Sequence, residues 1–427
     1  MRSDYALIAP ALLIALTACM HEDSVRFGAA DTLSAPTSVG TAPMVAMSPA
    51  GVLASAWVSA PDSGIDGRLY VSTAGGQVAE VQDTLGPIEG HGESPPKLAY
   101  GSDGSLDAIY VVVKDVLTAR QPLEALRFVR SSDGGKAWSA PVTVTDDAVF
   151  GLHNFHALHV AHDGTIYVSW LGGEEGKSTV WITHSTDQGV TWAPRVRVDT
   201  GLACDCCRTA LASTPDGTLY IAWRHIFPGS VRDIVVAHSS DHGMRWSDPV
   251  RVHADDWVVN ACPRAGPSLQ VDSIGRVHVA WWTGKEKAAG VWYARSTDGG
   301  KSFSAPLPLG VADFSRPAHV QLAVGPGDLV AAVWDDGTMA QPRIVIRVSH
   351  NGGGAFGTTD PLSGPGRSAA FPVLAVHAHS IVAAWSESSA PPAPAAPMTM
   401  PANGAPKHRG IKPIGNGEVV LRHGVLE

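Results

Sequence analysis

Ser131-Ser132-Asp133-Gly134-Gly135-Lys136-Ala137-Trp138 is met again in full from Ser185 to Trp192, from Ser239 to Trp246 and from Ser296 to Phe303. A worn copy runs from Ser349 to Phe356. The common pattern is Ser-x-Asp-x-Gly-x-x-Trp/Phe. Its acidic or amide position falls at Asp133, Asp187, Asp241, Asp298 and Asn351, which are 54, 54, 57 and 53 residues apart. A fixed period of that size identifies a repeat architecture.

Each copy describes a tight turn. Asp bonds the backbone two residues on and glycine accepts positive φ, so Asp-x-Gly joins two strands closely. The leading Ser and the trailing ring are expected to fix that turn against its own sheet. The pattern resembles the Asp box, or BNR repeat, of sialidases and related β-propellers. That resemblance implies an all-β propeller in which the boxes are structural and lie far from the active face.

A second periodic element is a Gly-containing turn followed by a β-rich run ending at Trp57, Trp170, Trp223, Trp281, Trp334 or Trp385, with a Trp-less variant at 103–113. Short strands at even spacing read as four-stranded antiparallel blades. Seven units are counted. The seventh lacks an outer strand, and residues 25–33 are placed to supply it, because closing the ring hides free strand edges. Seven blades are therefore expected, with six, as in sialidase catalytic domains, the alternative.

The rest of the chain sets bounds. Among 427 residues, 45 Gly and 31 Pro mark a turn-rich globular protein, and a formal net charge of −9 argues against nucleic acid as partner. No run of 18 apolar residues is present, so no transmembrane helix is expected. Residues 1–18 read as a signal peptide, with Arg2 before an apolar run and Leu16-Thr17-Ala18 directly before Cys19. This resembles a bacterial lipobox, which implies lipidation of Cys19, a short tether at 19–24 and anchoring in the cell envelope. Met20 after Cys19 suits the outer membrane, facing the periplasm or the cell surface. Residues 25–427 form one propeller domain, monomeric by expectation, with a Pro/Ala-rich loop at 388–416.

In propellers of this family the starts of the innermost strands meet around the axis with the loops between second and third strands. The innermost strands align on Leu98, Leu158, Leu211, Leu269 and Leu322. Seven residues earlier stand His91, Gly151, Cys204, Cys262 and Ser315; five earlier stand Glu93, His153, Cys206, Arg264 and Pro317. Cys207, Asn154 and His156 lie beside them. All four cysteines beyond Cys19 thus fall at the strand starts of two adjacent blades, with histidines in the two preceding ones.

Two chemistries compete for these cysteines. Outside the cytoplasm an even count suggests disulfides, Cys262 with one member of the Cys204–Cys207 cluster and a second bridge among the rest. Alternatively Cys204, Cys206, Cys207 and Cys262 join His153, His156 or His91 in a metal centre. Soft sulfur with imidazole suits copper, with zinc the alternative. The histidines tip the reading toward the metal, and Met398, Met400 and His408 in the Pro/Ala loop are compatible with copper capture.

The sialidase resemblance also implies catalytic parts. Three arginines would hold an acidic sugar, and Arg208, Arg264, Arg316 and Arg367 stand at inner-strand starts. Glu174, Glu175 or Asp335 would supply acid/base function. Two departures weaken the match: residues 42–46 carry no arginine where an Arg-Ile-Pro motif is expected, and no tyrosine lies in the last 134 residues to act as nucleophile. The leading expectation is a membrane-anchored sialidase-like propeller with a metal site at its mouth. A sialidase-type hydrolase or glycan binder is the alternative, and a disulfide-stapled interaction scaffold a further one.

Overall fold

Each repeat folds as one antiparallel sheet. The computed structural model describes residues 25–35, 39–60, 66–73, 76–114, 123–146, 150–173, 177–312, 316–338, 340–389 and 417–426. Within them seven sheets follow one another along the chain. In blade three the strands are Asn154–Val160, Ile166–Gly172, Thr179–Ser185 and Val196–Arg197, from axis to rim. Second strands such as Ile166–Gly172 and Val277–Thr283 are buried along their whole length. A sheet packed between two neighbours has no solvent face, so its sequence reads as a continuous apolar run rather than an alternation. The tryptophans that end these runs, Trp57, Trp170, Trp223, Trp281, Trp334 and Trp385, are all buried.

The ring closes as expected. Val25–Thr32 is the outermost strand of blade seven and pairs with Glu418–Leu426, from Val25 opposite Leu426 to Thr32 opposite Val420. The seventh sheet thus joins the two ends of the described chain, and the seven-blade reading stands over the six-blade one.

The boxes form a repeated hydrogen-bonded turn. Ser131 Oγ donates to Asp133 Oδ1 at 2.8 Å and accepts from Gly135 N at 2.8 Å. Ser185, Ser239, Ser296 and Ser349 repeat both bonds in their own copies. The trailing rings correct one expectation, because they reach the preceding blade and not only their own sheet. Trp192 packs edge-on against Phe128 of blade two at 5.3 Å, and Phe356 against Tyr293 of blade five at 4.9 Å. Gly353, at φ 76°, lies so close to Tyr293 that a Cβ there would collide with the phenol oxygen.

Two irregularities shape the mouth. The innermost strand of blade four is broken into Leu202–Ala203 and Ala210–Ser213, both paired with Leu219–Phe227, and the break carries the cysteine cluster. In blades one, three and seven the innermost strand bulges, with Ala42, Phe155 and Phe371 at positive φ. Bulges of this kind re-aim neighbouring side chains.

Candidate functional site

Across the axis the chain places a buried charged cluster. Glu93, which precedes the innermost strand of blade two, is fully buried and ion-pairs with Arg208 Nη1 of blade four. The same carboxylate accepts from Arg208 N at 3.2 Å and from Gly266 N of blade five at 2.5 Å. Arg208 Nη2 continues to Val320 O of blade six at 2.9 Å. Four blades are tied together at one point. Beside them, burial and the Arg208 charge bring the Lys97 ammonium down to about 7, against the pull of Glu93.

Blade six contributes His319. Asp335 Oδ1 accepts its backbone N–H at 2.5 Å and Oδ2 lies 2.6 Å from its Nδ1. Phe371 N donates to the same Oδ2 at 3.2 Å. Burial lowers the imidazole's proton affinity, but the Asp335 carboxylate outweighs it, and the net shift is upward. His319 Nε2 lies 4.0 Å from Glu93. Asp335, expected from the sequence as an acid/base group, has both oxygens engaged with His319 and the Phe371 amide and orients this histidine.

A second carboxyl pair sits between blades two and three. Asn154 Nδ2 donates to Glu124 Oε1 at 2.7 Å and to Glu89 Oε2 at 3.1 Å. Glu124 is fixed at the start of its strand by reciprocal backbone bonds with Gly151, both 2.9 Å, and Glu89 N bonds Val111 O at 2.8 Å. Burial pushes both carboxyls up, and the Glu89 charge adds to the effect on Glu124. The pair titrates near neutrality, Glu89 at about 7 and Glu124 at about 8. Both residues keep some exposure to solvent. Arg264 faces Glu89 and Glu93 and makes no side-chain hydrogen bond among the described residues; its backbone is at φ 52°. His156 completes the floor. It is fully buried, with Nδ1 3.3 Å from Ser94 Oγ and Nε2 without a partner among the described residues.

The cysteines divide. Cys206 and Cys262 form a disulfide between blades four and five, one of the expected pairings. Cys204 and Cys207 are free and buried, Cys207 Sγ donating to Cys204 Sγ at 3.3 Å, so no second bridge forms. Arg232 Nη1 donates to Cys204 Sγ at 3.1 Å. Burial raises the Cys204 thiol, but the Cys207 hydrogen bond and the Arg232 and Arg224 charges bring it down to about 6; burial and Cys204 push Cys207 well up.

The proposed copper-binding histidines do not converge on this sulfur. His153 Nδ1 lies 3.1 Å from Glu124 O and its ring meets Trp170, while His91 Nδ1 accepts from Glu93 N at 3.1 Å and its ring meets Phe155. The potential ligand atoms that do cluster are sulfur alone, those of Cys204, Cys206 and Cys207. The bulged strand of blade three turns His156 toward blade two instead. Among the arginines, Arg367 pairs with Glu418 at 2.9 Å and Glu387 at 3.5 Å within blade seven, a structural arrangement. Arg316 has an unpartnered buried Nη1 among the described residues. Glu174, Glu175, Ser315, Met398, Met400, His408 and the Cys19 lipobox lie outside the described residues.

Residues 88–266 match the family model of the BNR repeat-like domain. The match spans part of a chain that folds as a seven-sheet propeller. No curated protein matches the sequence. Among solved structures, the chain is similar to a protein of unknown function from Dyadobacter fermentans, at 16% identity over 94% of this chain and 99% of that one, TM-score 0.53. It is similar to a polysaccharide lyase, an ulvan lyase, at 12% identity over 84% and 93%, TM-score 0.55. A Hadza microbial sialidase aligns at 19% identity over 78% and 74%, TM-score 0.48.

The site residues that the sequence analysis did not single out are Glu89, Glu124, Lys97 and His319. His319 stands three before Leu322, the register position held by Arg208 before Leu211. Glu124 follows the loop between the second and third strands of blade two.

Proposed function

We propose that the propeller mouth cleaves an anionic polysaccharide by general acid–base chemistry. The observation that carries this reading is the Glu89–Glu124 pair, two partly exposed carboxyls held on one Asn154 amide and shifted to neutrality. A group that titrates near the working pH both gives and takes a proton readily. One carboxyl of the pair donates to the departing glycosidic oxygen while the other takes a proton from the attacking water or from the carbon beside a uronate carboxylate. Arg264 grips the substrate's carboxylate or sulfate through its planar fork. The buried Glu93–Arg208 pair is the rigid floor beneath them. The similarity in fold to a polysaccharide lyase supports a saccharide as substrate. We also take Cys19 as a lipid anchor holding the domain at the cell envelope.

The test is a panel of uronate-rich, sulfated and sialylated polysaccharides incubated with the purified chain and read by loss of polymer size. Cleavage of one anionic class, lost in Glu89→Gln and Glu124→Gln, is the expected result. A folded wild-type chain that cleaves none of them, or variants that cleave as well as wild type, would overturn the proposal. Unsaturated uronate in the products separates elimination from hydrolysis.

A further inference from the structure

The saccharide reading leaves two buried thiols unused. Cys204 and Cys207 sit on one turn, closed by Cys207 N donating to Cys204 O at 3.2 Å and tied to the second strand of blade four by Cys204 N donating to Arg224 O at 2.9 Å. Both residues are 1% exposed. Their sulfurs are 3.3 Å apart, and Cys204 Sγ lies 3.9 Å from Cys206 Sγ. Buried, unbridged sulfurs brought together on a fixed turn have the form of a chelate.

We infer that Cys204 and Cys207 form a two-coordinate site for Cu(I), buried beside the Cys206–Cys262 bridge. The donor set selects the metal. Thiolate is the soft ligand that favours Cu(I), whereas structural zinc asks for four ligands. Here Cys206 is held in the disulfide, and no His, Asp or Glu atom joins the sulfur cluster among the described residues. Metal–sulfur bonds of about 2.3 Å put two sulfurs around one ion at most about 4.6 Å apart. Binding would open the sulfurs from 3.3 Å toward that separation. Two thiolates and one Cu(I) carry a single net negative charge, and the Cys207 proton leaves to solvent as its sulfur takes the ion. A buried anion needs a cationic partner. Arg232 already donates to Cys204 Sγ at 3.1 Å, and the buried Arg224 guanidinium adds a second positive charge nearby. This site is independent of the carboxyls proposed to act on saccharide.

The experiment is an anaerobic Cu(I) titration of the full chain, prepared without metal, against a chromogenic Cu(I) chelator. One tightly held Cu(I) is expected, with affinity falling at least tenfold in Cys204→Ser and in Cys207→Ser and unchanged by excess Zn(II). X-ray absorption of the loaded wild type is expected to show a first shell of sulfur only. A wild type that leaves all copper with the chelator, serine variants that hold it equally, or a nitrogen- or oxygen-containing shell would overturn the site. So would intact mass showing a Cys204–Cys207 disulfide in the anaerobic protein. The absorption spectrum needs no variant, so misfolding of the serine variants leaves the test intact.

Discussion

Glu93 of blade two and Arg208 of blade four form a buried ion pair across the propeller axis, and Glu93 also accepts the Gly266 N–H of blade five. The pair is a cross-brace rather than a local contact, because its partners stand 115 and 173 residues from Glu93 in sequence. Removing one partner leaves the other charged in a low-dielectric interior, which costs about 3–5 kcal/mol. Arg208→Met is expected to lose that much stability in urea. The double variant with Glu93→Gln should recover part of it, as a double-mutant cycle would record; additive losses would show that the two side chains do not brace one another.

The mouth carboxyls and the Asp boxes pull stability in opposite directions with pH. Hydrogen bonds from Thr191, Arg245 and Ser302 hold Asp187, Asp241 and Asp298 down at about 2, below the usual carboxylate value near 4. Their contribution is present above pH 4 and is lost as pH falls toward 2. Glu89 and Glu124 are raised, so the folded chain binds more protons than the unfolded one between about pH 4 and 8. Their contribution is full below pH 4 and is lost as pH rises through 7 to 8. Melting temperature against pH should therefore peak on the acid side of neutrality, and Glu124→Gln should flatten the alkaline limb.

Polysaccharide cleavage should fall about 10²–10⁴-fold in Glu124→Gln, the range for a lost acid–base group. Arg264→Met should act chiefly on KM. The loss of a charge-assisted contact worth about 1.5–3 kcal/mol corresponds to roughly 10- to 150-fold. Steady-state kinetics on the responsive polysaccharide separates the two effects; a kcat loss confined to Arg264→Met would reverse the assignment.

The Cys206–Cys262 bridge closes a loop with a sequence separation of 56 and ties blade four to blade five. On loop-entropy grounds Cys262→Ser costs about 4 kcal/mol. Urea midpoints of the variant and of the reduced wild type should shift together. Equal midpoints for variant and oxidised wild type would show that the bridge does not constrain the chain.

Cys19→Ser should move the protein from the membrane fraction to the soluble fraction and abolish fatty-acid labelling. Unchanged labelling would locate any lipid elsewhere.

Local chemistry made the fold legible. The Asp box needs only residues within eight positions of one another, so five copies at a regular period announced the blades, and the spare strand at 25–33 announced their closure. Blade four showed how far alignment could reach. Placing the Cys204–Cys207 cluster and Cys262 at the strand starts of adjacent blades put a bridge between them among the candidates, and Cys206 forms it. The same alignment brought the histidines too close to the sulfur. A strand start specifies where a backbone enters the mouth, not where its side chain turns, and the bulge at Asn154–Ala157 turns His156 toward Ser94 of blade two.

The sequence by itself determined the repeat and pointed to the closing strand, because each rests on turn and strand preferences of short segments. Only the tertiary structure decided that Glu89 and Glu124 share Asn154, that Glu93 spans the axis to Arg208, and that two of four sulfurs remain thiols. Those outcomes depend on side-chain direction and on burial among groups contributed by different blades. A pKa or a ligand set is a property of that shared environment, and no single segment encodes it.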